Sequence, residues 1–225
     1  MIDGFLIAKL ISLWLFGFST MISIINPFGI AFVFHDMTRW LTRGERARLA
    51  RQIGINSFIV LVVAMFLGSR VLSFFGISLE ALRIGGGLAV AAAGWTMLRA
   101  EPETTAAPNA MDTAPIERMA FFPLTMPLTT GPGSIAAAIA LGAERSTGSQ
   151  DVLLVSAISA LMIAASVAAC VWIAYAYAEA IARRIGPQGT LVATKLTAFL
   201  LLCIGVQIIL IGASDALRPL IAAQG

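Results

Sequence analysis

The stretch Ile53-GINSFIVLVVAMFLGSRVLS-Phe74 contains one charged residue, Arg70, and no proline. As a helix rising 1.5 Å per residue it covers about 30 Å, the thickness of a bilayer's hydrocarbon core. Five other runs have the same character. The six are read as Phe5 to Phe34, Ile53 to Phe74, Leu79 to Leu98, Met119 to Ala143, Val152 to Tyr177 and Leu196 to Ala213. Alternating segments of about 10 residues, the mark of a transmembrane barrel, do not occur. Composition agrees. The residues AVILMFWYC make up 59% of 225 positions, 12% are charged and the mean hydropathy is +0.90. A soluble domain carries roughly twice that charge, and its own core could not hide so much apolar surface. The expected fold class is an all-α integral membrane protein of six transmembrane helices, with the lipid bilayer as its first partner.

A pI of 9.3 would suit nucleic acid, but the basic residues fall in short loops between apolar runs, so no nucleic-acid partner is expected. On the side reached after the first span lie Arg39, Arg43, Arg46, Arg48, Arg51, Arg99, Arg118, Arg183, Arg184 and Lys195. The opposite side has Lys9, Arg70, Arg83, Arg145 and Arg218. Positive loops favour the cytoplasm, so both termini are expected outside the plasma (inner) membrane. The Arg-rich first loop, RWLTRGERARLAR, dominates that bias and is read as a topology determinant. The apolar N-terminus has no basic leader region or clear cleavage site, so it is taken as the first span rather than a signal peptide. Cys170 and Cys203 sit inside apolar runs and read as small buried hydrophobes, with neither disulfide nor metal spacing.

The segment from Arg99 to Arg118, with Pro102, Pro108 and Pro115, is the one polar linker. It divides the chain into three-helix halves, residues 1–98 and 119–225, joined by a cytoplasmic linker over 99–118. Each half opens on an interrupted span: Asn26-Pro27-Phe28-Gly29 in one, Thr129-Thr130-Gly131-Pro132-Gly133 in the other. Each closes on a similar helix, Arg83-IGGGLAVAAAGWTM-Leu98 against Thr194-KLTAFLLLCIGVQI-Ile209, with Gly94 opposite Gly205. A three-span unit re-enters the membrane from the opposite side, so two of them form an inverted repeat with a discontinuous first helix in each half.

Proline inside a helix removes a donor and clashes one turn back, while glycine lets the backbone leave helical geometry cheaply. Unwound backbone is tolerated at membrane depth only in protein or along a polar cavity. The two breaks are therefore expected to face each other. The restarted helices would aim positive ends at a carboxylate from near Gly29, Gly131 and Gly133. Freed carbonyls and the side chains of Asn26, Thr129 and Thr130 would accept from an ammonium group. Asn26, Pro27, Gly29, Thr129, Thr130, Gly131 and Gly133 are thus the candidate substrate-binding residues for a small zwitterion. His35 beside Asp36 reads as interfacial, and the Gly85-Gly86-Gly87 run with Gly94 as close helix packing. Glu80 with Arg83, and Asp215 with Arg218, are spaced to pair at one surface. No carboxylate lies firmly mid-span. No hydrolase, metalloprotease or Walker motif occurs; the chain reads as a non-enzyme without a cofactor.

On Ile25-Asn26-Pro27-Phe28-Gly29, Phe75-GISLEALRIGG-Gly87, Phe122-PLTMPLTTGPGSI-Ala136 and Leu202-CIGVQII-Leu210, the chain resembles the MarC (UPF0056) family of bacterial membrane proteins. The likeness covers nearly the whole chain outside the termini and residues 100–117. The family is similar in having six helices, and relatives of its SnatA group carry small neutral amino acids such as glycine and alanine. The resemblance implies a substrate of that kind here, and places Asn26, Pro27, Gly29, Pro127, Thr129, Thr130, Gly131, Pro132 and Gly133 at motif positions. A looser similarity to LysE-type exporters leaves the direction open. The rival expectation is a non-transporting assembly or stress-response partner, with both breaks packed shut.

Overall fold

A computed structural model describes residues 2–100, 116–143 and 150–222. Most of the expected linker falls outside these residues. The described chain is helical throughout, without strands. The helices are α1 (Ile2–Ile25), α2 (Pro27–Met37), α3 (Arg43–Phe75) and α4 (Leu79–Arg99), then a single turn, α5 (Ile116–Met119). A π-helical segment (Ala120–Thr129), α6 (Pro132–Ala143) and α7 (Gln150–Ala222) complete it.

Local sequence sets the boundaries. Glu45 and Thr42 cap each other at the start of α3: the Glu45 N–H donates to the Thr42 hydroxyl, and the Glu45 carboxylate accepts from the Thr42 N–H at 2.9 Å. That is a capping box, which satisfies two donors left free by the first turn. Gly76, at φ 66° and ψ 23°, ends α3 in the left-handed region that costs glycine least. Ser78 caps α4 by accepting from the Ala81 N–H at 3.1 Å.

Among the described residues, four helical stretches are long and apolar enough to cross a bilayer: Leu6–Met37, Arg43–Phe75, Leu79–Arg99 and Leu153–Arg218. The π segment and α6, bent by 71°, make a fifth if taken as one span. The expected fifth and sixth spans lie together in α7, which is broken at Gly186 (φ 77°, ψ 173°). Unbroken, its 73 residues would reach about 110 Å, several bilayer cores long. The part before Gly186 runs along α3, with Gly54 against Ala168 and Trp172, and Arg46 against Glu179. The part after it runs along α4, from Lys195 at Leu98 to Gly212 at Arg83.

Arg83 departs from the expected pairing: it bonds Asp215 of α7 at 2.5 Å rather than Glu80 on its own helix. Asp215 also lies 3.6 Å from Arg218, as its spacing suggests. The core contains Met21, Phe34, Leu49, Ile53, Leu61, Ile163 and Tyr175, while Phe16, Phe74, Phe75, Leu154 and Val192 point outward. An apolar exterior around an apolar core is what a lipid-facing bundle requires.

Where α4 meets the second part of α7, the backbones approach through glycine. A Cβ on Gly94 would stand 2.5 Å from the Leu202 nitrogen, and one on Gly205 would stand 2.4 Å from the Ala91 nitrogen. Close approach through small residues is how membrane helices gain packing without a hydrophobic drive. Gly85 on the same helix has nothing within 4 Å of its missing Cβ. Gly94→Val should therefore lower the unfolding midpoint in detergent clearly, overpacking costing about 1–3 kcal/mol or more. Gly85→Ala should match or exceed the parent by up to about 1 kcal/mol. Scanning fluorimetry on the two variants checks the pair.

Candidate functional site

The first break is a single residue wide. Asn26 adopts φ 45°, ψ 58°, a left-handed conformation that asparagine tolerates better than most residues. Its own N–H still donates to the Ile22 carbonyl at 2.9 Å, and its carbonyl accepts from the Ile30 N–H at 3.0 Å. Its side-chain Oδ1 accepts from the Gly29 N–H at 3.3 Å. Asn26 is thus the N-cap of α2, and Pro27 takes the first helical position, where a missing N–H costs nothing. Gly29 lets two neighbours close in: a Cβ there would stand 2.6 Å from Asn26 Nδ2 and 2.7 Å from Thr197 Oγ1 of α7.

The second break is longer and built from a tandem motif, Phe122-Pro123-Leu124-Thr125 and Met126-Pro127-Leu128-Thr129. Phe122 (φ −123°, ψ 124°) and Met126 (φ −121°, ψ 120°) are extended, as residues preceding proline tend to be. Both X–Pro bonds are cis. Threonines then satisfy backbone carbonyls five residues back. Thr125 donates its hydroxyl to Ala120 O at 2.5 Å, Thr129 to Leu124 O at 2.6 Å and Thr130 to Thr125 O at 3.1 Å. The chain turns at Gly131, and α6 starts with Pro132 as α2 starts with Pro27. The Gly131 carbonyl accepts from the Ile135 N–H at 3.0 Å and from the Ser134 hydroxyl at 2.9 Å.

One side chain touches both broken helices. Tyr175 of α7 is fully buried; its hydroxyl lies 2.7 Å from Thr129 Oγ1, and its ring stacks on Phe34 of α2 at 4.5 Å. Beside this contact is a cavity of about 520 Å³. Ile24 of α1 and Ile30 of α2, either side of the first break, form one part of its wall. Pro127, Leu128, Thr129, Gly131 and Pro132 of the second break form another, and α4 (Ala89, Val90, Ala93, Thr96, Met97) with Leu201 of α7 closes it. The lining is mostly apolar, with the hydroxyls of Thr96, Thr129 and Ser134 as its polar side-chain groups.

Of the seven residues expected to bind substrate, Thr129 and Gly131 line this cavity, and Asn26, Pro27, Gly29, Thr130 and Gly133 do not. Thr130 is fully buried with its hydroxyl turned to its own backbone, and Gly133 packs against Val90 and Ile208. Sequence reasoning did not single out Thr96, Ser134, Tyr175 or Thr197. Ser134 lay within a quoted motif. Tyr175, one of two tyrosines in the chain, signalled itself only as a polar tip in an alanine-rich span.

Arg46 is more than a topology charge. Nearly buried, it donates to the Thr38 and Leu41 carbonyls at 2.8 and 3.2 Å and pairs with Glu179 at 2.9 Å. It therefore ties the α2–α3 connection to α7. No cluster of three or more His, Cys, Asp or Glu stands together among the described residues.

The residues matched by a family model run from 11 to 217, and that model describes the MarC family of integral membrane proteins. A UPF0056 inner membrane protein MarC of Salmonella typhimurium is 31% identical over 208 residues, covering 90% of this chain and 94% of its own. A UPF0056 membrane protein of Methanocaldococcus jannaschii is 32% identical over 205 residues, with 91% and 97% covered. An Escherichia coli O1:K1 / APEC relative, again an inner membrane protein MarC, is 32% identical over 211 residues, with 90% and 94% covered. No solved structure matches significantly.

The cap at Asn26 makes a sharp prediction. Asn26→Ala loses the cap and keeps a disfavoured left-handed conformation, which together should cost about 2 kcal/mol. Asn26→Gly keeps the conformation cheaply and should lose much less. Denaturation midpoints should rank parent, then Gly, then Ala.

Proposed function

Because the chain belongs to the MarC family of integral membrane proteins, matched over residues 11–217, we propose that it is a secondary transporter of small neutral amino acids or similar zwitterions. The observation that carries this reading is a cavity walled by both helix breaks. Discontinuous helices meeting at one cavity are how many secondary carriers build a substrate site. The N–H groups at the start of α6 face the substrate's carboxylate in this reading, and hydroxyl and carbonyl oxygens face its ammonium. The mostly apolar wall takes the side chain, which favours a neutral substrate over a charged one. The chain works without catalysis or cofactor, as a multi-pass protein of the inner membrane, like its named relatives.

The architecture belongs to the same proposal. Divided at Gly186, α7 supplies two spans, and the chain becomes six spans in two inverted halves, residues 1–98 and 119–225, joined by the cytoplasmic linker 99–118. The contacts between α4 and the end of α7 support it. Gly94 rests on Ala198 and Leu202, and Gly205 rests on Gly87 and Ala91. Aligning Gly94 with Gly205 aligns Gly87 with Ala198 and Ala91 with Leu202. That reciprocity is the signature of a two-fold contact. Each restarted helix packs on a helix of the opposite half: Gly29 of α2 meets Thr197 of α7, and Gly133 of α6 meets Val90 of α4. Two halves so related can exchange which side their shared site opens to.

Purified protein in proteoliposomes should exchange labelled alanine or glycine for internal unlabelled amino acid. Complete absence of counterflow, across neutral amino acids and with folded protein, would reject transport. C-terminal reporter fusions should be active outside the cytoplasm; cytoplasmic activity would overturn the orientation and leave transport standing.

A further inference from the structure

The direction of each hydrogen bond around the cavity fixes what its wall can offer. A hydroxyl has one proton and two lone pairs, and a backbone carbonyl can only accept. Thr129 Oγ1 lies 2.6 Å from Leu124 O, so its proton points there. The 2.7 Å contact with Tyr175 must then run the other way, with Tyr175 donating to Thr129. Thr129 is left with one lone pair and nothing to donate. Ser134 likewise has no proton to offer, its own given to Gly131 O at 2.9 Å, nor has Thr96, whose proton goes to Ala92 O at 2.9 Å. All three hydroxyls that line the cavity are therefore acceptors.

We propose that this cavity selects its substrate by the N–H donors of an ammonium group, read by the lone pairs of Thr129, Ser134 and Thr96, with Tyr175 as the positioning residue that holds Thr129 in its accepting orientation. The inference rests on the cavity being the transport site. A substrate oxyanion gains little from these hydroxyls, because turning a proton toward it would set the hydroxyl oxygen lone pair to lone pair against the carbonyl now 2.6 Å (Thr129) or 2.9 Å (Ser134, Thr96) away. No acidic side chain lines the cavity, so an ammonium needs a counter-charge, and a zwitterion brings its own. The fully buried Tyr175 hydroxyl likewise has to donate to something. Were Thr129 to donate to Tyr175 instead, the tyrosine proton would lose this acceptor.

Competition against labelled L-alanine counterflow tests this with four probes built on the alanine skeleton. L-Alaninamide keeps the ammonium and loses the carboxylate charge; L-lactate replaces the ammonium by a hydroxyl. N,N,N-trimethyl-L-alanine keeps both charges and has no N–H; unlabelled L-alanine is the reference. Lactate and the trimethyl compound should be weaker than alanine by about tenfold or more, the worth of a hydrogen bond to a charged group, and alaninamide, which brings no counter-charge, should be weaker too. If lactate or the trimethyl compound competes as well as alanine, ammonium recognition is wrong and transport stands. If labelled alanine is not carried and no neutral amino acid is, the transport reading falls and this one with it. Thr129→Ser should keep the apparent KM for alanine near the parent value, whereas Thr129→Val should raise it about tenfold or more at similar maximal rate. A Thr129→Val protein with unchanged KM would also overturn the proposal. The probe series on the parent protein does not depend on that variant folding.

Discussion

A peptide group in hydrocarbon has no water to bond, and each unpaired N–H or C=O costs several kcal/mol. That demand is met trivially inside a helix and becomes acute wherever a helix stops. This chain stops two helices within the bundle, and the two solutions differ. At Asn26 one side chain fills the gap: its amide oxygen takes the Gly29 N–H, while its own backbone stays bonded to Ile22 and Ile30. Between Ala120 and Thr130, three threonine hydroxyls donate to the carbonyls of Ala120, Leu124 and Thr125, the last of which also accepts from the Thr130 N–H. Of the three threonines only Thr129 lines the cavity.

Packing follows from a second consequence of the lipid environment. With apolar surface inside and out, helices gain little by hiding it from one another, and association rests on close contact and specific polar bonds. Glycines place α4 against the end of α7 nearly backbone to backbone. Polar bonds act at the margins. Arg46 with Glu179 holds α3 to the first part of α7, and Arg83 with Asp215 holds α4 to its last part. Within the bundle Tyr175 joins the two broken elements by one hydrogen bond and one stacked ring.

The elements that depend on local chemistry were legible in the sequence. Apolar length marked the long helices, the Asn-Pro and Gly-Pro pairs marked both breaks, and Gly94 was legible as a place of close helix approach. What depends on direction was not legible. A membrane helix is apolar on every side, so its pattern does not say which face meets the protein. Asn26 was therefore expected to face a ligand, and it caps α2 instead. Thr129 and Thr130 adjoin in sequence, but successive residues on a helical path point apart, and only Thr129 reaches the cavity. Arg83 was matched to Glu80 by spacing, while its partner Asp215 lies far away in sequence. The break at Gly186, followed by Pro187, falls in the stretch read as the loop between the fifth and sixth spans, though helix continues on both sides of it.

The length of α3 now acquires a meaning in terms of depth. Its 33 residues extend about 50 Å, well beyond a hydrocarbon core of about 30 Å. The excess has to stand in the headgroup layer or in water, and charge decides which end. Arg43, Arg46, Arg48 and Arg51 occupy the first turns, and Arg46 is fixed there by Thr38, Leu41 and Glu179. The buried Arg46 thus fixes the α2–α3 connection on α7, while the exposed Arg43, Arg48 and Arg51 around it suit the headgroup layer. The charged end of α3 marks a depth, and the covalent chain sets the distance of both helix breaks from it.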